Sequence, residues 1–309
     1  MQICHGMNGC FPPETAVAVG FFDGIHIGHQ AVVARALAHR REKMAAVVFS
    51  FTVDDTVPAR KKNAHWLMSS RQKAARLSKM GVDLLLEPPF SAISGMAPEE
   101  FARFLAEDLH ARAVCCGYDY RFGKGACAGA EDLRRLLAPY GAVVETVDAV
   151  IDDGEPVSST RIRALLEAGE LLQANRLLGA PFALKAPVIH GRGLGHSIGF
   201  PTANQRFPEG FLVPKYGVYA TRVLADGAAY PAVTNIGVKP TVGGDTLPGA
   251  ESNLLDFSGD LYGKTICVEF LGYLRAEQNF GSVEALSAQI ACDAERARNI
   301  FKNLPPASR

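Results

Sequence analysis

The chain has no run of apolar residues near the ~18–20 that a membrane-crossing helix needs. Its opening residues, Met1 to Gly6, lack a basic segment leading into an apolar one, so no secretory leader is expected. Nor is there an excess of charge of either sign, with 32 Lys+Arg against 32 Asp+Glu. The balance holds locally, 20 basic against 21 acidic residues in 1–182 and 12 against 11 in 183–309. That excludes a globally basic binder of nucleic acid or anionic membrane. The seven cysteines (4, 10, 115, 116, 127, 267 and 292) are odd in number and contain no C-x-x-C pair. A disulfide framework and a zinc site are therefore disfavoured, and a reducing, cytoplasmic setting is expected. The chain shows neither an internal repeat nor a low-complexity segment.

What is present is ordinary globular material: 48% hydrophobic and 21% charged residues. A length of 309 residues exceeds what one core usually serves, and two domains of roughly 150 residues are expected. The first part alternates short apolar runs with helical patterns. Strands are expected at 16–19, 45–51, 82–86, 113–116 and 142–147, and helices at 30–43, 71–79, 98–109 and 130–137. Such alternation means βαβ units and a parallel, Rossmann-like sheet. Helices at 160–168 and 170–178 follow, ended by Gly169 and Gly179 as left-handed caps. After Ala180-Pro181 the pattern changes to closely spaced strands at 182–190, 217–224, 230–236, 252–257 and 264–275, the mark of a small antiparallel barrel or sandwich. A last helix opens at Ser282 and runs to Phe301. The domains are accordingly expected at 1–181 and 182–309.

The densest chemistry is Gly20-Phe21-Phe22-Asp23-Gly24-Ile25-His26-Ile27-Gly28-His29, where the first of these strands ends and a helix starts. Glycines there let the backbone approach a ligand, and a helix N-terminus offers amides and partial positive charge to phosphate. His26 and His29 can donate to phosphate oxygens or stabilise charge at a transferring phosphorus. A turn whose histidines merely cap is the plainer alternative. It is outweighed by the convergence of two histidines, an aspartate and three glycines at the carboxyl end of a strand, where open α/β sheets bind ligands. A metal site there is disfavoured, because no carboxylate or cysteine has helix-compatible spacing to both histidines. Ser158-Ser159-Thr160-Arg161-Ile162-Arg163 opens a later helix and is compatible with either capping or phosphate. Gly117 to Gly125 imitates a P-loop and fails it, with the wrong spacing and a glycine where Ser/Thr is required. Two further imitations, a dinucleotide-type loop at Gly193 to Gly199 and a nucleophile elbow at Gly195 to Gly199 around Ser197, both need a helix immediately afterwards, which Pro201 opposes.

H-x-G-H after the first of these strands with a late S-S-T-x-I-R is similar to the nucleotidyltransferase superfamily. The longer run G-F-F-D-G-I-H-I-G-H-Q, with G-Y-D-Y-R-F-G-K-G, resembles the FMN adenylyltransferase module of bacterial bifunctional riboflavin kinase/FAD synthetases. The second part resembles the riboflavin kinase signature in Gly199-Phe200-Pro201-Thr202-Ala203-Asn204. The likeness continues at Tyr216 to Ala220, Thr234 to Thr241, Glu251 to Phe257 and Asp260 to Gly263, so it covers nearly the whole chain. It implies a six-stranded barrel and two reactions: riboflavin plus ATP gives FMN, and FMN plus ATP gives FAD with release of pyrophosphate. It further implies that His26 and His29 contact ATP phosphates, with Gly20, Phe21, Asp23, Gly24 and Gly28 forming the turn around them. Asp119 then lies in the nucleotide pocket, and Ser159, Thr160 and Arg163 hold the triphosphate side. Glu251 is the base for the ribityl hydroxyl, Thr202 and Asn204 are oxygen donors to Mg²⁺, and Gly191, Gly193, Gly195 and Gly199 cover the second ATP. Riboflavin, FMN and ATP are the implied partners, with no nucleic acid and no membrane. Two departures stand out. The family's His-Pro after the second strand is Ser50-Phe51-Thr52-Val53-Asp54-Asp55 here, which motivates a rival reading as a kinase with weak or lost adenylyl transfer. Its E-T-H is Glu251-Ser252-Asn253, which keeps the glutamate and loses a histidine.

Overall fold

The computed structural model describes residues 1–52, 65–191, 201–240 and 246–303. The chain forms two compact units, Met1–Ser159 and Thr160–Arg309. The division falls after the first residue of the helix α5 (Ser159–Ala168) and ahead of α6 (Leu171–Leu178), earlier in the chain than the change of pattern at Ala180-Pro181.

The first unit is a six-stranded parallel sheet of β1 (Gln2–Cys4), β2 (Glu14–Val19), β3 (Met44–Phe49), β4 (Leu84–Leu86), β5 (Ala111–Gly117) and β6 (Val143–Val147), in the order β1-β4-β3-β2-β5-β6. Its strands read as continuous apolar runs because both faces are covered. Along β2, Val17 and Val19 enter one core with Phe49, Phe101 and Val114, while Ala18 enters the other with Val33, Val48 and Leu77. The helices are α1 (Ile27–Ala38), α2 (Ser70–Met80), α3 (Pro98–Arg103) and α4 (Ala130–Leu137). From β2 the chain moves outward one way to β3 and β4, then returns to place β5 on the other side of β2. The order therefore reverses between β2 and β5, and open α/β sheets bind ligands at the carboxyl ends flanking such a reversal.

The second unit is an antiparallel six-stranded sheet of β9 (Ala183–Pro187), β10 (Ala203–Arg206), β11 (Gly217–Ala225), β12 (Ala228–Pro240), β13 (Thr246–Leu254) and β14 (Thr265–Arg275), ordered β10-β13-β12-β11-β14-β9. The amide of Ile189, just past β9, donates to Asn204 O on β10 at 2.8 Å, drawing the two edges together into a nearly closed barrel. Gln205 helps seal that seam: its buried side chain donates to Ala186 O at 2.6 Å and Ile266 O at 3.2 Å. Inside, Thr221, Thr234 and Ser252 form a fully buried hydroxyl ladder across three strands, at 2.7 and 2.8 Å. The last helix, α7 (Val283–Lys302), packs Ala294 and Ala297 on Val218, Ala220 and Leu274. It is pinned by Arg275 on the buried Asp293 at 2.9 Å.

Several elements differ from the sequence expectation. The first helix begins at Ile27 rather than 30, because His26 supplies its cap. The expected helix 98–109 is α-helical only to Arg103 and finishes as a π turn, Phe104–Asp108. A small hairpin pairs β7 (Ile151–Asp152) with β8 (Glu155–Pro156), turning at Asp153 (φ 50) and Gly154 (φ 79), the backbone that a two-residue hairpin turn requires. Strand β10 was not foreseen, its sequence being Ala-Asn-Gln-Arg. The strand expected at 252–257 runs Thr246–Leu254 instead, because Asp256 turns the chain with φ 61.

Candidate functional sites

The loop after β2 is held in an unusual backbone. Phe22 (φ 55), Gly24 (φ 78) and Ile25 (φ 40) all lie in the left-handed region, which disfavours bulky residues. Such strain persists only where surroundings over-determine it, and here they do. Phe22 and Ile25 are buried in the core beneath α1. The Asp23 carboxylate, also buried, accepts from the Leu67 amide at 3.1 and 3.3 Å, so Asp23 fastens the turn as well as bordering the cleft beside it. Both glycines at the ends sit tightly: a Cβ at Gly20 would lie 3.0 Å from the Phe22 ring, and one at Gly28 would lie 3.2 Å from the His26 ring.

His26 and His29 are brought together. Their rings stack with centroids 3.6 Å apart, and His26 Nδ1 accepts the His29 backbone N–H at 3.2 Å, capping α1. His26 thus fills the capping role of the plainer alternative while its ring lies against that of His29. Burial, and after it electrostatic coupling to the stacked His26 and to the cations Lys73 and Arg76, hold the His29 pKa well below its usual value. Its imidazole is neutral at physiological pH, and its buried Nδ1 has no hydrogen-bond partner among the described residues. A neutral ring bears one N–H donor and one acceptor.

Beside the loop lies a cleft of about 210 Å³ whose walls include Phe21, Phe51, Trp66, Lys73 and Glu87. Phe21 stacks on Phe51 with centroids 4.7 Å apart, and Trp66 meets Phe21 edge-on at 5.5 Å. Phe51 thus occupies the segment where the resemblance leads one to look for His-Pro; Val53 to Asp55 lie outside the described residues. At the floor, Lys73 and Glu87 form a buried ion pair of 2.7 Å, with side chains 7% and 1% exposed. Sequence reading missed both. The available signal was a lysine set among Ala74 and Leu77 on the apolar face of α2, a position that a solvated charge would avoid.

Asp119 follows β5, the strand beside β2, and is exposed at the same carboxyl edge as the histidine loop. Ser159 Oγ donates to Asp23 O at 2.9 Å, fixing the start of α5 on the loop. Thr160 (exposed) and Arg163 (half-buried) continue that helix in the second compact unit. The P-loop imitation at 117–125 begins no long helix: Lys124–Ala126 is a single 3-10 turn.

The barrel site is assembled sideways rather than along the chain. Glu251 lies within β13, opposite Asn204 on β10 and opposite Asn235 on β12. Directly paired residues share a face of the sheet, so three polar side chains stand in one row. Their neighbours Ser252, Ala203 and Thr234 point to the other face, the barrel interior. Glu251 is half-buried. Asn204 Nδ2 approaches Thr202 O at 3.3 Å and Thr202 Oγ1 at 3.5 Å, so the two expected oxygen donors are adjacent. Gly191 lies hard against them, since a Cβ there would sit 2.5 Å from Asn204 Nδ2. Asn235, which sequence reading did not single out, donates to Glu277 Oε1 at 2.8 Å. Asn253 donates to Pro201 O at 2.9 Å, so the residue in place of the family's histidine ties down the segment before Thr202. Gly193, Gly195 and Gly199, with Ser197, lie outside the described residues. No group of three or more His, Cys, Asp or Glu is placed to hold a metal among the described residues.

Comparisons with known proteins follow the same division. Residues 11–161 match the family model for FAD synthetase, and residues 178–301 match that for riboflavin kinase. The chain is 36% identical to a bifunctional riboflavin kinase/FMN adenylyltransferase of Pseudomonas fluorescens, over 96% of this chain and 97% of that one. It is 35% identical to the protein so named in Listeria monocytogenes, covering 93% of each chain. A crystal structure from Streptococcus pneumoniae described as a macrolide-efflux protein aligns over 96% of this chain and 98% of its own, with TM-score 0.85 and 31% identity. Among the described residues no helix here is long and apolar enough to cross a membrane. Both family segments are present, in order and over nearly the full length of the relatives: the chain belongs to the bifunctional riboflavin kinase/FMN adenylyltransferase family, a transferase that phosphorylates riboflavin to FMN and adenylylates FMN to FAD.

Proposed function

We propose that residues 1–181 carry adenylyl transfer and residues 182–309 carry the kinase, each with its own ATP site. The observation that carries this is one site within each family-matched segment: the stacked His26/His29 pair and the Asn204–Glu251–Asn235 row.

In the first site the FMN phosphate attacks the α-phosphorus of ATP in line and pyrophosphate leaves, with no covalent intermediate. The protein's work is then positioning and charge stabilisation. The Gly20–Gly28 turn and the α1 amides ahead of the capped His29, which have no intrahelical acceptor, receive the phosphates, and His26 and His29 add imidazole contacts. Asp119 faces the nucleoside, and Ser159, Thr160 and Arg163 complete the triphosphate side. The aromatic walls at Phe21, Phe51 and Trp66 suit a flat heterocycle, the isoalloxazine ring.

In the second site Glu251 accepts the proton of the ribityl 5′-hydroxyl as it attacks the γ-phosphorus of ATP. Gly191, Gly193, Gly195 and Gly199 lay backbone over the phosphates. Thr202 Oγ1 and the Asn204 side-chain carbonyl are the hard oxygens that would hold Mg²⁺. Its chemistry there is to neutralise phosphate charge. Seven free cysteines and balanced charge fit a cytoplasmic enzyme of small molecules, with neither nucleic acid nor membrane as partner. Incubation with riboflavin, ATP and Mg²⁺, followed by chromatographic separation of FMN and FAD, tests the reading: both products are expected. FMN without FAD would favour the kinase-only alternative raised by Ser50-Phe51-Thr52.

A further inference from the structure

Every backbone carbonyl from Phe21 to His26 is engaged by a donor from within the protein. Phe21 O accepts from Ser50 Oγ at 2.8 Å and Lys73 Nζ at 3.2 Å. Phe22 O accepts from the Ile25 amide at 3.4 Å, and Asp23 O from Ser159 Oγ at 2.9 Å. Gly24 O takes Arg76 Nη1 at 3.4 Å, Ile25 O takes Gln30 Nε2 at 2.9 Å, and His26 O takes the Gln30 amide at 2.9 Å. In a trans peptide the C=O and the following N–H point in opposite directions. Turning a carbonyl into the protein therefore turns the amide of the same plane away from that donor, where an anion can meet it. In the Gly24 plane that amide, Ile25 N–H, is instead taken by Phe22 O, so there Arg76 fixes the turn itself. Two of these contacts are cationic and come from one helix: Lys73 and Arg76 stand one turn apart on α2.

Lys73 is fully committed. An ammonium has three protons, and its acceptors are Phe21 O, Ser50 Oγ and Glu87 Oε1, the last at 2.7 Å. It has no proton left for a substrate, so its influence passes through the loop. Glu87 balances its charge in a site where a lone buried cation would be costly.

We propose that Lys73 and Arg76 are positioning residues for adenylyl transfer, clamping the carbonyls of the Phe21–Gly24 loop against α2 so that its amides face the ATP phosphates, with Glu87 holding the Lys73 end of the clamp. This rests on the reading that the His26/His29 loop receives those phosphates. The nearness of both cations to His29 agrees with it, since their charge adds to burial in keeping that imidazole neutral.

The test uses the full chain and three measurements: FAD formation from FMN and ATP, FMN formation from riboflavin, and the melting temperature. Replacing Lys73 alone would strand a buried carboxylate, so the pair is removed together as K73M/E87L, a change that often leaves stability intact. The expected result is a fall of about 10- to 100-fold in kcat for FAD formation, the scale of a misplaced phosphate. The riboflavin kinase rate and the melting temperature should be unchanged. R76M should act in the same direction and more weakly, with R76K recovering most of the loss. R76M decides the matter if the double variant does not fold. FAD formation within about twofold of the parent in K73M/E87L and R76M overturns the clamp. H29A separates the two ideas: if it is impaired while those variants are not, the clamp fails and the site stands; if H29A is also unimpaired, both fall.

Discussion

The two sites are made in opposite ways. In the first unit the groups lie within ten residues of chain, Gly20 to His29, and the fold's task is to keep a strained turn from relaxing. In the barrel, Asn204, Asn235 and Glu251 are far apart in sequence and meet only because three strands pair in one register. A loop site is therefore vulnerable to whatever supports the turn, while a register site tolerates changes that leave the strand pairing intact. On the proposed roles, the comparison also accounts for a base carried on a strand and a phosphate cradle carried at a helix start. A single proton acceptor needs rigidity, whereas several phosphate oxygens need several converging amides.

The sharpest way to break the comparison is Glu251→Gln, which keeps shape and removes the proton acceptor. FMN formation should fall by about 10²- to 10⁴-fold, while FAD formation from supplied FMN continues at the parental rate. Near-normal kinase turnover would make Glu251 a bystander. His29→Ala is the mirror experiment. FAD formation should drop by about 10²- to 10³-fold with the kinase untouched, and parallel loss of both activities would mean that the histidine serves the fold.

A smaller effect separates the units physically. Asn175 on α6 donates to Phe270 O and accepts from the Phe182 amide, both at 2.8 Å, and Phe182 packs on Phe270 and Phe211. A fragment 160–309 should fold and convert riboflavin to FMN. A fragment 183–309, without these contacts and the buried Leu171, Ala174, Leu177 and Leu178, should lose several kcal/mol at about 1 kcal/mol per hydrogen bond plus the apolar area uncovered. Equal denaturant midpoints for the two fragments would contradict this.

The smallest effect is one of pH. His29 is held neutral in the fold, but once unfolded it titrates near its ordinary 6.5. The unfolded chain then binds the extra proton, so this group makes stability fall as pH drops below about 6.5. Between about pH 7.5 and 5.5 the parent should lose more melting temperature than H29A does. Identical losses would remove His29 from the account.

Much of this was legible in the chain because the relevant signals are local. The apolar run at 16–19, the glycines and the two histidines sit side by side, and the helix that follows is capped by one of those histidines. The parallel sheet followed from continuous apolar strands separated by helices, and the antiparallel barrel from strands without them. Less legible was anything made by pairing at a distance. Nothing around Ala203-Asn204-Gln205-Arg206 alternates apolar and polar strongly enough to announce a strand, and its role depends on β13 lying beside it. Asn235 acquires meaning only opposite Glu251. Lys73 and Glu87 each look like an ordinary charge until the fold buries them against one another. Family resemblance located Glu251, but composition and periodicity could not have done so.

The barrel's two faces carry different duties on the same strands, and alternation assigns the duty by parity. On β13, Ala250, Ser252 and Leu254 are turned inward and buried, while Glu251 and Asn253 face the other way. In a saturation library sorted separately for abundance and for turnover, tolerance along 250–254 should oscillate with period two. The even positions would be filtered by the amount of folded protein and the odd positions by activity per molecule. The strand would read as two interleaved records, one of selection for persistence and one of selection for chemistry.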